Sequence, residues 1–162
     1  MNSKSQVIKY IITDLLTASV AWTVFFVYRK LYLEPLKFGV EVELQFTERY
    51  YVGLLIIPLF WLSLYALTGF YNQVLRKSRL KEFVQSLWQS LLGVLIIFFA
   101  LILDDQIADY RSYYSAFLVL FGVHFSTTFF FRFLITSQLV HRIHNREFGF
   151  NTLMVGSNEK AL

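Results

Sequence analysis

From Tyr51 to Tyr71, and again from Phe83 to Leu103, the chain carries no charged side chain. A helix rises about 1.5 Å per residue, so each run is long enough to cross the roughly 30 Å hydrocarbon core of a bilayer. Two further windows have the same character. Val7–Tyr28 holds Lys9 near its start and Asp14 inside, and Tyr113–Phe131 ends on Arg132, with a helical pattern that runs on towards His144. Backbone groups in lipid must be satisfied within the protein, which leaves helices or a closed barrel. A barrel alternates apolar and polar residues in segments of about ten, whereas Leu54-Leu55-Ile56-Ile57 and Leu95-Ile96-Ile97-Phe98-Phe99 do not alternate. The expected fold is an all-α membrane domain over residues 1–146, with transmembrane helices at 7–28, 51–71, 83–103 and 113–135.

Composition agrees. Of 162 residues, 56% are hydrophobic and 16% charged, against about 25% charged in a soluble domain. One soluble core of this size cannot hide so much apolar surface. A disordered chain and most soluble enzymes are excluded on this ground. The absence of cysteine removes disulfide scaffolds, thiolate catalysis and Cys-ligated metals.

The net charge of +4 is distributed with a bias. Lys4, Lys9, Arg76, Lys77, Arg79, Lys81, Arg132, Arg142, Arg146 and Lys160 lie in the odd-numbered flanking segments, and Arg29, Lys30, Lys37, Arg49 and Arg111 in the even ones. Excess Lys and Arg mark the cytoplasmic side, so both termini are expected in the cytoplasm. Seven acids, Glu34, Glu41, Glu43, Glu48, Asp104, Asp105 and Asp109, lie in the even loops. A cleaved signal peptide does not fit the first span, because Asp14 interrupts its apolar stretch and no A-x-A site follows.

Beyond the polar run His141–Glu147, Asn151-Thr152-Leu153-Met154-Val155-Gly156 reads as a buried strand entering a Gly turn. Glu159–Leu162 reads as a first helical turn capped by Ser157 or Asn158. A strand, a Gly turn and a helix start open a doubly wound domain. Residues 147–162 are therefore expected to begin a truncated cytoplasmic Rossmann-like α/β domain. Gly156 stands without a full G-x-G-x-x-G, so nucleotide binding by this segment is not supported.

Several features occur in a fixed order: Asp14 in the first helix, Trp61 and Gly69-Phe70-Tyr71 in the second, the basic link Arg76–Glu82, Phe131-Arg132-Phe133-Leu134 at the last exit, and Asn151–Gly156. In this the chain resembles, over essentially its whole length, the N-terminal part of the large bacterial polyprenyl-phosphate sugar-1-phosphate transferases of exopolysaccharide biosynthesis. The resemblance implies four membrane helices, a cytoplasmic Rossmann-like domain and a later catalytic domain. In the family, that catalytic domain moves a sugar-1-phosphate from a UDP-sugar to undecaprenyl phosphate with an Asp–Glu pair and Mg²⁺. None of its motif residues occurs here, so no catalytic residue and no cofactor carries over to this chain. The implied setting is the bacterial inner membrane, with membrane lipids and polyprenyl phosphate as partners, contacts for a homo-oligomer, and no nucleic acid. The alternatives are a stand-alone four-helix protein that binds or translocates lipid-linked sugars, or a structural membrane subunit. A transport path needs polar lining. The second span offers only Ser63 and Thr68, and the third only Gln85, Ser86, Gln89 and Ser90 near one end.

Candidate site residues follow. Asp14 is an acid inside a membrane helix, costly and often functional. It pairs with a basic residue of another helix, Arg132 among them, or it sits hydrated near the headgroups. A structural or interfacial role is favoured over a catalytic one. Arg76, Lys77, Arg79 and Lys81 form a basic patch suited to the phosphate of undecaprenyl phosphate or to anionic headgroups, and equally a plain topology signal. Mid-span His124, beside Ser126, Thr127 and Thr128, is expected to be neutral and hydrogen-bonded within the bundle. His141 and His144 share a helix face but lack a third ligand, and no metal site is expected. Asp104, Asp105 and Asp109 read as a solvated outer turn. Gly39–Phe46 alternates as a half-buried strand does, or lies along the membrane surface. Trp22, Trp61 and Trp88 are candidate interfacial anchors.

Overall fold

A computed structural model describes residues 3–39, 43–76, 78–104 and 110–145. Every regular element among them is helical: α1 Ser3–Tyr28, α2 Glu34–Phe38, α3 Glu48–Leu67, α4 Arg79–Asp104 and α5 Tyr110–His144. Four helical stretches, Lys4–Leu36, Glu48–Leu67, Arg79–Ala100 and Tyr113–His144, are long and apolar enough to cross a membrane. The strand and helix start expected over 147–162 lie outside the described residues, as do Lys77, Asp105 and Asp109.

The first stretch is longer than expected because α1 does not stop at Tyr28. It passes through a π turn, Arg29–Leu33, into α2. Pro35, in the first turn of α2, has no N–H, and its ring would press on the carbonyl four residues back. Widening the ladder by one residue relieves that contact, and the Glu34 N–H bonds to the Arg29 carbonyl across the turn. Gly39, at φ 69°, then ends α2. The expected strand at Gly39–Phe46 is not found in its described part, where 43–47 is exposed and irregular.

The second span ends at Leu67, not Tyr71. Gly69 takes φ 68°, a left-handed conformation costly for other residues. The chain then enters a 3₁₀ turn, Phe70–Arg76, which folds Phe70 and Val74 back into the core. The basic link Arg76–Glu82 is therefore largely helical in its described residues, since α4 already begins at Arg79. Ser78 caps it, its Oγ accepting the Lys81 N–H at 3.2 Å.

The helices run antiparallel. α1 lies between α3 and α5, α4 packs on α5, and the contact of α3 with α4 is thinner. Two glycines permit close approach, as small residues do between membrane helices. A Cβ on Gly53 of α3 would enter the Trp22 ring of α1, and one on Gly93 of α4 would enter the Trp61 ring of α3. Trp22 and Trp61 are thus core residues, 8% and 1% exposed, rather than interfacial anchors, and only Trp88 is exposed. Away from the turn at Gly69 the core is apolar and aromatic, with Phe25, Phe26, Val94, Ile97, Ala116 and Leu120. Apolar side chains such as Leu55, Leu59, Val84, Leu118 and Phe130 cover the outside, as helices in contact with lipid require.

Candidate functional site: a buried polar core

The interior is polar in the half of the bundle where α1 begins and α5 finishes. The Asp14 carboxylate of α1 faces the Arg132 guanidinium of α5, with Oδ1 and Nε 2.6 Å apart and neither side chain exposed. Arg132 is therefore not the membrane exit that the sequence suggests, and Asp14 is not hydrated near the headgroups. An isolated charge at this depth would be expensive; the two offset one another.

The surround supplies much of what the pair lacks, although Arg132 Nη2 has no hydrogen-bond partner among the described residues. Tyr71, from the 3₁₀ turn, donates its hydroxyl to Asp14 Oδ2 at 2.8 Å. Burial first, then the nearby Asp14 carboxylate, raises this phenol well above its ordinary pKa, so it stays a donor. Arg132 Nη1 makes longer contacts with Gln89 Oε1 at 3.4 Å and Ser86 Oγ at 3.5 Å, both on α4. The guanidinium carbon lies 4.1 Å from the Tyr65 ring centre and 3.8 Å from that of Phe70. Cation–π attraction reaches about 2 kcal/mol when desolvated.

The hydrogen bonds have a consistent direction. Gln89 Nε2 donates to Thr68 Oγ1 at 2.6 Å, and Thr68 passes its own proton to the Leu64 carbonyl at 2.9 Å. One turn towards the bundle end, Thr136 donates to Glu82 Oε2 at 3.2 Å. Its single hydroxyl proton being used, the 2.6 Å contact with Tyr10 Oη must run from Tyr10 to Thr136. All four long helices and the 3₁₀ turn contribute.

His124 sits deeper on α5, 1% exposed, as the sequence suggests. Its ring stacks on Trp61 with centroids 3.6 Å apart, and Nε2 lies 2.9 Å from Tyr65 Oη and 3.5 Å from Thr128 Oγ1. Thr127 instead bonds back to its own helix at the Val123 carbonyl.

The basic patch fares differently. Arg79 and Lys81 are exposed at the start of α4, Arg76 ends the 3₁₀ turn, and Lys77 is outside the described residues. Arg79 and Lys81, being exposed, stand outside the buried core. Glu82, embedded in the same basic sequence, joins it, with 0% exposure. Among the described residues no group of three His, Cys, Asp or Glu side chains could hold a metal ion.

Tyr10, Glu82 and Thr136 carry no site assignment in the sequence, and Gln89 appears there only among the polar residues of the third span, although their spacing carries a signal. On α5, His124, Thr128, Arg132 and Thr136 recur every fourth residue. On α4, Glu82, Ser86 and Gln89 follow the same face, and on α1 Gln6, Tyr10 and Asp14 do so. All but one are under 5% exposed, Gln6 being 6%. Three polar stripes inside three apolar helices identify the faces that meet.

No protein-family profile, curated protein or solved structure matches this chain.

Proposed function

We propose that this chain is a membrane-anchoring four-helix domain whose buried ion pair locks its helices into one arrangement. The observation that carries the proposal is the buried Asp14–Arg132 pair, tied to Tyr71, Gln89 and, through Gln89, Thr68 on other elements, beside an apolar remainder of the core. A translocating protein needs polar groups that face a path and are free to exchange partners. Here the buried polar groups lie in one half of the bundle, shut off from solvent, and the ion pair at their centre is held by bonds between helices.

The larger protein that such an anchor serves is, on the resemblance of the sequence, a polyprenyl-phosphate glycosylphosphotransferase of exopolysaccharide biosynthesis. The anchor would hold a cytoplasmic catalytic domain at the inner leaflet, where the phosphate of undecaprenyl phosphate lies. The bacterial inner membrane is what the resemblance implies, and the Lys and Arg bias supports placing both termini in the cytoplasm. That bias survives the removal of Arg132, which is buried. The transferring residues and Mg²⁺ belong to the catalytic domain, not to the residues of this chain.

The test is a comparison in membranes. The 162-residue chain should resist alkaline carbonate extraction and release no UMP from UDP-sugars in the presence of undecaprenyl phosphate. The product of the complete reading frame should transfer the sugar-1-phosphate. Extraction of the chain by carbonate, or UMP release by the chain alone, would overturn the proposal.

A further inference from the structure

A cleft of about 500 Å³ opens where α4 begins and α5 ends, lined by Ser78, Arg79, Val140, His141 and His144. We infer that it holds the phosphate of an anionic bilayer phospholipid. The inference rests on reading the four helices as membrane spans, and not on the transferase proposal.

Three features converge. The first is charge and hydrogen-bonding character. Arg79 from α4 and His141 and His144 from α5 line it together, and among the described residues no acidic side chain does so. A guanidinium offers a planar fork of N–H donors that matches phosphate oxygens. Asn145 Nδ2 donates to His141 Nε2 at 3.1 Å, which leaves the neutral imidazole with its proton on Nδ1, a donor.

The second feature is depth. The spans Arg79–Ala100 and Tyr113–His144 start and end at this cleft, so it lies at the level of the headgroups. Basic pockets between membrane helices at that level hold lipid headgroups. The third is the surface that continues inward from it. Leu80, Val84 and Leu87 of α4 are 73%, 55% and 36% exposed, and Phe83 is 39% exposed. Phe83 packs edge-on against Phe125 and Phe129 of α5. A cationic cleft above an apolar, partly aromatic surface fits an anion that carries hydrocarbon chains. That pairing favours a lipid over free phosphate.

The experiment is native mass spectrometry of the full chain released from detergent with added phosphatidylglycerol, phosphatidylcholine or inorganic phosphate. Wild-type protein should retain phosphatidylglycerol and discard phosphatidylcholine, and millimolar phosphate should not compete. Arg79→Gln should weaken retention about fivefold, the effect of one cation near an anionic headgroup. Arg79→Lys should weaken it less, and His141→Gln/His144→Gln should weaken it further when combined with Arg79→Gln. Lys9→Gln removes an exposed charge from the same end of the bundle but outside the cleft, and should change nothing. Equal losses for Lys9→Gln and Arg79→Gln would reduce the effect to diffuse attraction and overturn the inference. Retention of phosphatidylcholine, indifference to the two histidine substitutions, or displacement by free phosphate would overturn it too. All the substituted side chains are exposed, so folding of the variants, checked by gel filtration, is expected to be unaffected.

Discussion

The Asp14–Arg132 pair permits a quantitative test of what holds this bundle together. With Oδ1 and Nε 2.6 Å apart, the charge centres lie about 4 Å from each other, where attraction at an effective dielectric near 20 is about 4 kcal/mol. Desolvation takes several kcal/mol back, so replacing both partners by apolar residues is often close to neutral. Removing one partner is different, because it strands the other charge where neither side chain has any exposure. That change costs about 3–5 kcal/mol in buried pairs. Asp14→Leu and Arg132→Leu should each lower the folding equilibrium constant by roughly a hundredfold or more, at about 1.4 kcal/mol per tenfold.

The double substitution Asp14→Leu/Arg132→Leu should then cost less than the sum of the singles by about 3 kcal/mol, and less than either one alone. Tyr71 and Gln89 would lose a partner in the double variant, which keeps it from being fully neutral. Reversible SDS-driven unfolding in mixed micelles, followed by Trp fluorescence, measures all four proteins on one scale. Independent sites add within about 0.5 kcal/mol. Additivity of the two single costs to that accuracy would refute the view that the pair is a coupled unit. A coupling near 0.6 kcal/mol, the average for hydrogen bonds between membrane helices, would show that the charges contribute little beyond an ordinary polar contact.

Further expectations can be checked by the same unfolding measurement. Gly93→Ala should destabilise by about 1–3 kcal/mol, because its Cβ would enter the ring of Trp61, which is pinned on His124. Gly122→Ala on α5 should instead stabilise by up to about 1 kcal/mol, since nothing lies within 4 Å of a Cβ there. His124→Leu should cost about 1–3 kcal/mol, as it strands the buried Tyr65 hydroxyl and removes the Trp61 stack. Tyr71→Phe should cost about 1 kcal/mol at neutral pH by losing the bond to Asp14. It should also flatten the pH dependence. The folded-state phenol is raised, so the unfolded chain deprotonates first, at about pH 10. The wild type therefore loses stability as pH climbs beyond that value, and the variant loses less. An equal fall in both proteins between about pH 9 and 11 would remove Tyr71 from the account.

The sequence made the spans legible and hid the interior, for one physical reason. In lipid the usual periodicity is inverted: the outside of each helix must be apolar, so apolar length marks a span but says nothing about which face meets a neighbour. The facing side is written in polar and small residues. Asp14 and Arg132 stood out because ionised groups are rare at such depth, and the sequence could propose their pairing. Thr136, Gln89 and Tyr10 are ordinary residues in isolation and gain meaning only at their spacing of three or four residues from Arg132, Ser86 and Asp14. Glu82 was masked by its neighbours, since a charge among Arg79, Lys81 and the turn before them reads as part of a solvated link. What placed it inside was the start of α4 at Arg79, one turn earlier than hydropathy suggests, which carries residue 82 into the stripe with Ser86 and Gln89. Trp22 and Trp61 look like interfacial anchors in the sequence for a related reason. Their partners, Gly53 and Gly93, have no side chain to attract notice, yet the missing Cβ atoms are what let two indoles occupy the seams between helices. In this bundle the informative positions are therefore the least apolar and the smallest, and a scan for them at helical spacing would recover the polar core from the amino-acid sequence.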